Sequence, residues 1–202
     1  MSMLSLKEGT ELVRMARERI RTYLRGDDYD TGEIDDKYKI NSGIFVTLKT
    51  YPGKDLRGCI GFPEPVYPLI DSLLDASIAS ATRDPRFHPV SSSEIDRLLV
   101  EVTVLSSPSL IKGKSGKGYL DEIEVGRDGL IIERGFQKGL LLPQVPIEWN
   151  WGKEEFLSHT CVKAGLPQDC WLNEDDIKIY KFTGQVFSEI APNGEVVEQE
   201  RS

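Results

Sequence analysis

Near the start of the chain the apolar residues Leu12, Val13, Ala16, Ile20, Tyr23 and Leu24 recur at three- and four-residue intervals, the repeat of one helix face. Ser5 followed by Glu8 has the spacing of a capping box, and Gly26 can supply the left-handed stop, so a helix is predicted between them. Arg14, Arg17, Arg21 and Arg25 fall beside the apolar stripe and read as a solvated charged face. Residues 27–39 lose the period and carry Asp27, Asp28, Asp30, Asp35 and Asp36. Counted from Asp28, the glycine and the final acid miss their places in a calcium loop, so this segment is predicted to be a surface loop.

Strand-like patterning then takes over. Ile44, Phe45, Val46 and Leu48 predict a strand to Thr50, Tyr51 to Lys54 a turn, and Leu56 to Gly61 an antiparallel return. In that return Arg57 and Cys59 share one face, with Leu56 and Ile60 on the other. Pro63, Pro65 and Pro68 lead into a second helix with Leu69, Ile70, Leu73, Leu74, Ile78 and Ala81 as its stripe. It stops before Asp84 to Pro89, a hexapeptide that Pro85 and Pro89 should make rigid.

Ser93 to Asp96 reads as one helical turn and Leu98 to Leu105, rich in β-branched residues, as a strand. Residues 108–118 read as loop. Its Gly113-Lys114-Ser115 is not the end of a phosphate-binding loop, because Pro108 stands where that motif needs glycine. Gly129 to Glu133 and Lys138 to Leu142 are predicted strands around the turn Arg134 to Gln137, closed by Pro143 to Pro146. A helix from near Gly152 places Phe156, Leu157, Thr160, Cys161 and Ala164 on one face and ends at Gly165. Ile177 to Phe187 is predicted as one final strand, and residues 189–202 as a frayed polar tail. Short turns and irregular helix–strand alternation predict an α+β fold, a mostly antiparallel sheet packed with helices.

The 202 residues suit one domain over 1–188. A net charge of −8 opposes a general nucleic-acid binder, whose only support is the arginine row with Lys112, Lys114 and Lys117. No apolar run is long enough to cross a membrane, and Met1 to Thr10 lacks a secretory pattern. Three cysteines make no disulfide framework, so a reducing, cytoplasmic setting is predicted.

Two chemistries compete. In the first, Cys59 is a nucleophile, Arg57 or Arg86 lowers its pKa or holds an anion, and His88 or His159 is the base. In the second, the Gly58–Gly61 backbone, Arg57, Arg86 and Gln144 line a non-catalytic site for a small anionic or peptide-like ligand. Asp84 is expected to bond its own turn or to pair with Arg86 or Arg57. His159, Cys161 and Cys170 lack metal-site spacing, and no metal or cofactor is assigned.

Leu56-Arg57-Gly58-Cys59-Ile60-Gly61, Asp84-Pro85-Arg86-Phe87 and Leu141-Leu142-Pro143-Gln144-Val145, in this order and at these separations, resemble the signature of the AMMECR family. Lys163 to Pro167 and Trp171 resemble its prokaryotic members. The resemblance implies an intracellular α+β protein of two unequal lobes with a cleft between them. It also implies Memo-type and radical-SAM-type proteins as partners in a modification pathway, with no established reaction. Its motif falls on Arg57, Gly58, Cys59, Gly61, Asp84, Arg86, Phe87, Pro143 and Gln144. His88 departs from that motif, so the resemblance does not imply a Cys59–His88 dyad.

Overall fold

Ser5 opens the first helix as its spacing predicts. Its N–H donates to the Glu8 carboxylate at 2.7 Å, and its hydroxyl accepts from the Glu8 N–H at 3.4 Å. This computed structural model describes residues 4–112, 115–173 and 176–199. The Gly113-Lys114 pair of the phosphate-loop motif, and Lys114 of the basic group, lie outside them.

The described residues form two compact units, 4–106 with 185–199 and 107–184. In the first unit, helix α1 (Leu6–Arg25) ends at Gly26 with φ of 77°. Strands β1 (Ile44–Thr50) and β2 (Leu56–Phe62) form the predicted hairpin, and α2 (Leu69–Thr82) follows. With β3 (Leu98–Leu105), β8 (Gly184–Glu189) and β9 (Val196–Glu198) the sheet order is β2-β1-β3-β8-β9. Ile44, Val46, Leu48, Val100, Val102 and Val104 bury one sheet face with Leu12, Ala16 and Ile20 of α1 and Leu69 and Leu73 of α2. Removing this apolar surface from water is the main stabilising term. Phe45, Thr47, Lys49, Cys59 and Glu101 project from the opposite face.

In the second unit, β4 (Ser109–Leu110), β5 (Gly129–Arg134), β6 (Gln137–Leu141) and β7 (Lys178–Phe182) form an antiparallel sheet in the order β4-β7-β5-β6. Helices α3 (Gln144–Glu148), α4 (Lys153–Lys163) and α5 (Cys170–Asn173) complete it. Its own core joins Leu130, Ile132 and Ile179 of the sheet to Phe156, Leu157 and Cys161 of α4. The fold is therefore α+β, as predicted.

Several local expectations are overturned. Residues 177–187 are two strands in two different sheets, β7 and β8. The described part of the predicted tail, residues 189–199, pairs instead of fraying: Ser188 and Glu189 of β8 stand opposite Val197 and Val196 of β9, and Val196 is buried. The acidic loop closes with a 3-10 turn at Asp36–Lys39 that buries Tyr38, whose hydroxyl donates to Glu11. Pro143 to Pro146 enters helix α3 instead of merely closing a strand.

Of the arginine row only Arg25 is exposed; the other three are engaged within the fold. Arg17 is 1% exposed, ion-pairs with the buried Glu189 and donates to the carbonyls of Ile95 at 3.0 Å and Leu98 at 2.6 Å. Arg14 also reaches Glu189, and Arg21 pairs with Asp96 at 2.7 Å. Cys161 and Cys170 are joined in a disulfide with their Cα atoms 6.3 Å apart, which corrects the expectation of unpaired thiols and leaves Cys59 as the one cysteine outside it.

Candidate functional site

Strand β2 lies at the edge of its sheet, so the outward backbone groups of every second residue lack a neighbouring strand. Cys59 faces Thr47 of β1 in the register, and the Thr47 hydroxyl donates to Cys59 Sγ at 3.2 Å. The Cys59 backbone N–H and C=O turn outward instead, as in a non-hydrogen-bonded pair. The turn after α2 reaches them: the Asp84 carboxylate accepts the Cys59 N–H at 2.8 Å, and Arg86 Nη2 leans on the Cys59 carbonyl at 3.4 Å.

Two side chains thus stand in for a missing strand. They are tied to one another, because Arg86 Nε donates to Asp84 Oδ1 at 3.0 Å and Nη2 to Oδ2 at 2.7 Å. Asp84 also accepts the Arg86 N–H at 3.1 Å, the local turn bonding expected of an aspartate before proline. Although Asp84 is only 5% exposed, these donors, led by the Arg86 guanidinium, hold its carboxyl well below the usual carboxylate range. The Arg86 side chain is 54% exposed, and its Nη1 edge has no hydrogen-bond partner among the described residues.

Arg57 is fully engaged. Nε and Nη2 grip the Glu94 carboxylate at 2.6 and 3.1 Å, and Nη1 donates to the His88 carbonyl at 3.0 Å. It therefore staples β2 to the Asp84–Pro89 loop. The two guanidiniums flank Phe87, with their carbons 5.9 Å (Arg57) and 5.6 Å (Arg86) from the ring centroid.

The glycines serve packing. A Cβ on Gly58 would stand 2.1 Å from the Ser80 carbonyl oxygen of α2, and one on Gly61 would meet the Ile44 oxygen at 2.2 Å and the Phe45 ring at 2.5 Å. The bare backbone of these glycines can admit a ligand or a second segment, and on the side where each Cβ would stand it is protein that approaches.

For the thiol, burial dominates and pushes the pKa up. The Thr47 hydrogen bond and the charge of Arg86 oppose this more weakly, and Glu101 and Asp84 add to the rise. Neither histidine supplies a base that the structure shows in contact with it. His88 is exposed and touches the site through its backbone carbonyl. His159 belongs to the other unit, where its ring stacks on Trp151. Pro143 and Gln144 also belong to that unit, at the start of α3, half-buried and exposed respectively.

Some neighbours of Cys59 had no signature in the sequence. Register places Thr47 between Cys59 on β2 and Glu101 on β3, and the buried Glu101 carboxylate accepts from Lys49 Nζ at 2.7 Å and Gln199 Nε2 at 3.2 Å. The alternation of the β1 segment could have put Thr47 and Lys49 on one face. Nothing local marks Glu94 as the partner of Arg57.

The three sequence segments that carried the resemblance are those whose side chains build or flank this edge and the start of α3. The AMMECR1 family profile matches residues 13–187. A protein of Methanocaldococcus jannaschii is 53% identical over 199 residues, covering 98% of each chain. A protein of Methanococcus aeolicus is 49% identical over 199 residues, covering 98% of this chain and all of its own. The fold is similar to the crystal structure of an uncharacterised protein from Pyrococcus horikoshii. Its TM-score is 0.78 at 50% identity, covering 95% of this chain and 96% of that one. With matches of this extent running through the β2 edge, the turn that caps it and the start of α3, the chain belongs to the AMMECR1 family.

Proposed function

We propose that the protein is a non-catalytic binding module whose β2 edge takes a small anionic or peptide-like ligand at Arg86. One observation carries this reading: Asp84 grips Arg86 side-on and fixes its guanidinium, while the Nη1 edge points away unpaired beside the Phe87 ring. A pre-oriented planar fork suits a carboxylate or phosphate oxygen, and holding it in place lowers the entropy cost of binding. Arg57 is a positioning residue here, since all its nitrogens are used.

The cysteine-enzyme reading fares worse on the same geometry. A nucleophilic thiol needs a base or a dominant positive field, and around Cys59 burial outweighs the field.

The test is a ¹H–¹⁵N titration of the full chain with two probes, inorganic phosphate and N-acetylglycylglycine, following Arg86 Nε–H and the Cys59 amide. Saturable shifts that survive Cys59→Ser and are lost in Arg86→Lys support the module. Binding that survives Arg86→Lys, or that disappears in Cys59→Ser, defeats it, as does the absence of saturable shifts with either probe.

A further inference from the structure

The second unit carries a ring stack that the β2 edge does not use. Helix α3 ends in a Schellman turn: Trp151 N–H donates to the Pro146 carbonyl at 2.8 Å, and Asn150 N–H donates to the Ile147 carbonyl at 3.1 Å. Asn150 takes the left-handed position with φ of 54°, which asparagine tolerates better than most residues. This reversal brings the flanking indoles together, with ring centroids 6.1 Å apart and planes 19° from parallel. His159 of α4 lies on the other indole neighbour, 3.8 Å from the Trp151 ring at 10°. Three nearly parallel rings therefore run Trp149, Trp151, His159.

Most of the outer ring is uncovered. Trp149 is 67% exposed, beside an exposed Ile147. Exposed apolar groups gathered in one place mark interaction sites more often than single exposed side chains do. The stack itself limits what fits. A planar group can extend it face to face, and the electron-rich face of an indole attracts cations more strongly than those of the other aromatics.

The charges around the stack make the choice narrower. Glu148, next to Trp149, is exposed and has no hydrogen-bond or ion-pair partner among the described residues. Glu154 and Glu155 begin α4; the first pairs with Lys117 at 3.5 Å and the second caps the Gly152 N–H at 2.7 Å. Lys153 spends its ammonium on the Leu120 carbonyl at 2.8 Å. Lys163, one turn after His159 on α4, is exposed at the far end of the stack, so the uncommitted charge next to Trp149 is the negative one of Glu148, and the whole chain carries −8. A nucleotide would bring a planar base but also phosphate, which this surface repels. A guanidinium is planar and positive at once.

We infer that Trp149, at the end of the Trp149–Trp151–His159 stack, with Glu148, forms a docking site for an arginine side chain of a partner protein. The arginine extends the stack over Trp149 while Glu148 neutralises it. This site is independent of the β2 edge and needs no reactive group.

The experiment uses the full chain and three matched peptides, acetyl-Gly-Xaa-Gly-Xaa-Gly-amide with Xaa as arginine, lysine or citrulline. Indole Nε1–H signals are followed by ¹H–¹⁵N correlation. Trp171, buried and bonded to Ser158 at 3.1 Å, is the internal control for folding. The arginine peptide is expected to move the Trp149 and Trp151 signals in a saturable way and leave Trp171 in place. Lysine, which is charged but not planar, and citrulline, which is planar but neutral, should each bind more weakly. Trp149→Ala and Glu148→Gln should each weaken the arginine peptide roughly two- to fivefold, the factor that an exposed cation–π contact carries. The inference is overturned if citrulline binds as well as arginine or if Trp149→Ala leaves binding unchanged with the Trp171 signal intact. It is also overturned if adenosine monophosphate shifts the two signals more than the arginine peptide does.

Discussion

Replacing Asp84 by asparagine probes the cap on the β2 edge directly. The aspartate accepts four hydrogen bonds, two at each oxygen: Cys59 N–H and Arg86 Nη2 at Oδ2, Arg86 N–H and Nε at Oδ1. An asparagine presents one oxygen and one NH2 group, so in either orientation two of these donors face another donor. Hydrogen bonds to a charged group contribute about 1.5–3 kcal/mol each, and losing two while half-exposed Arg86 regains water leaves a net cost of about 2–3 kcal/mol. Because the native carboxyl titrates well below its ordinary range, the folded protein keeps this charge to lower pH than the unfolded chain does. Its stabilisation is complete above the unfolded pKa of about 3.9 and is lost as pH falls through the native value. Urea unfolding of wild type and Asp84→Asn should therefore differ by about 2–3 kcal/mol at neutral pH, with the gap narrowing below about pH 5. Exchange of the Cys59 amide with deuterium should speed up in the variant. A gap under about 0.5 kcal/mol, within the range of ordinary surface substitutions, or one that stays flat from neutral pH to pH 3, refutes the cap.

Gly58→Ala should cost about 2–3 kcal/mol in thermal unfolding, because the new methyl meets the backbone carbonyl of Ser80 at 2.1 Å and neither element can yield cheaply; a neutral result would mean that α2 and β2 separate with ease. Arg17→Met leaves the Glu189 charge buried with Arg14 as its remaining cation and the Val100 N–H as a donor at 3.0 Å, and should cost about 3–5 kcal/mol. Adding Glu189→Leu should restore part of that loss in the same denaturation assay, and a double variant worse than the single would contradict the ion-pair account.

Periodicity was enough for α1, α2, α4 and the β1–β2 hairpin, because residues such as Leu12, Ala16 and Ile20, or Ile44, Val46 and Leu48, declare a buried face within one element. It misjudged Arg17, whose burial depends on Glu189, 172 residues away. The segment 177–187 alternates apolar and polar residues and reads as one strand, yet the chain crosses between sheets at Thr183-Gly184, and a single glycine in a strand pattern does not by itself announce a change of sheet. At the site, the turn chemistry of Asp84 before Pro85 was legible, since aspartate bonds its own turn in many contexts. That the same carboxylate caps Cys59 was not, because an edge strand is defined only once the sheet order is known. Reading Arg57 and Cys59 as a thiolate pair rested on one strand, and the segment does not declare that Glu94 takes the guanidinium or that burial pushes the thiol pKa up.

Whether Cys59 is a thiol or a thiolate at neutral pH separates the binding module from a cysteine enzyme. The alkylation rate of Cys59 by iodoacetamide against pH, measured on the native chain and read by peptide mass spectrometry, tests this most directly. Slow modification, with a midpoint above the ordinary thiol pKa of about 8.5, is the predicted result and fits a binding edge held by Asp84 and Arg86. Fast modification with a midpoint below about 7 would mean an activated thiolate, and would contradict the non-catalytic reading.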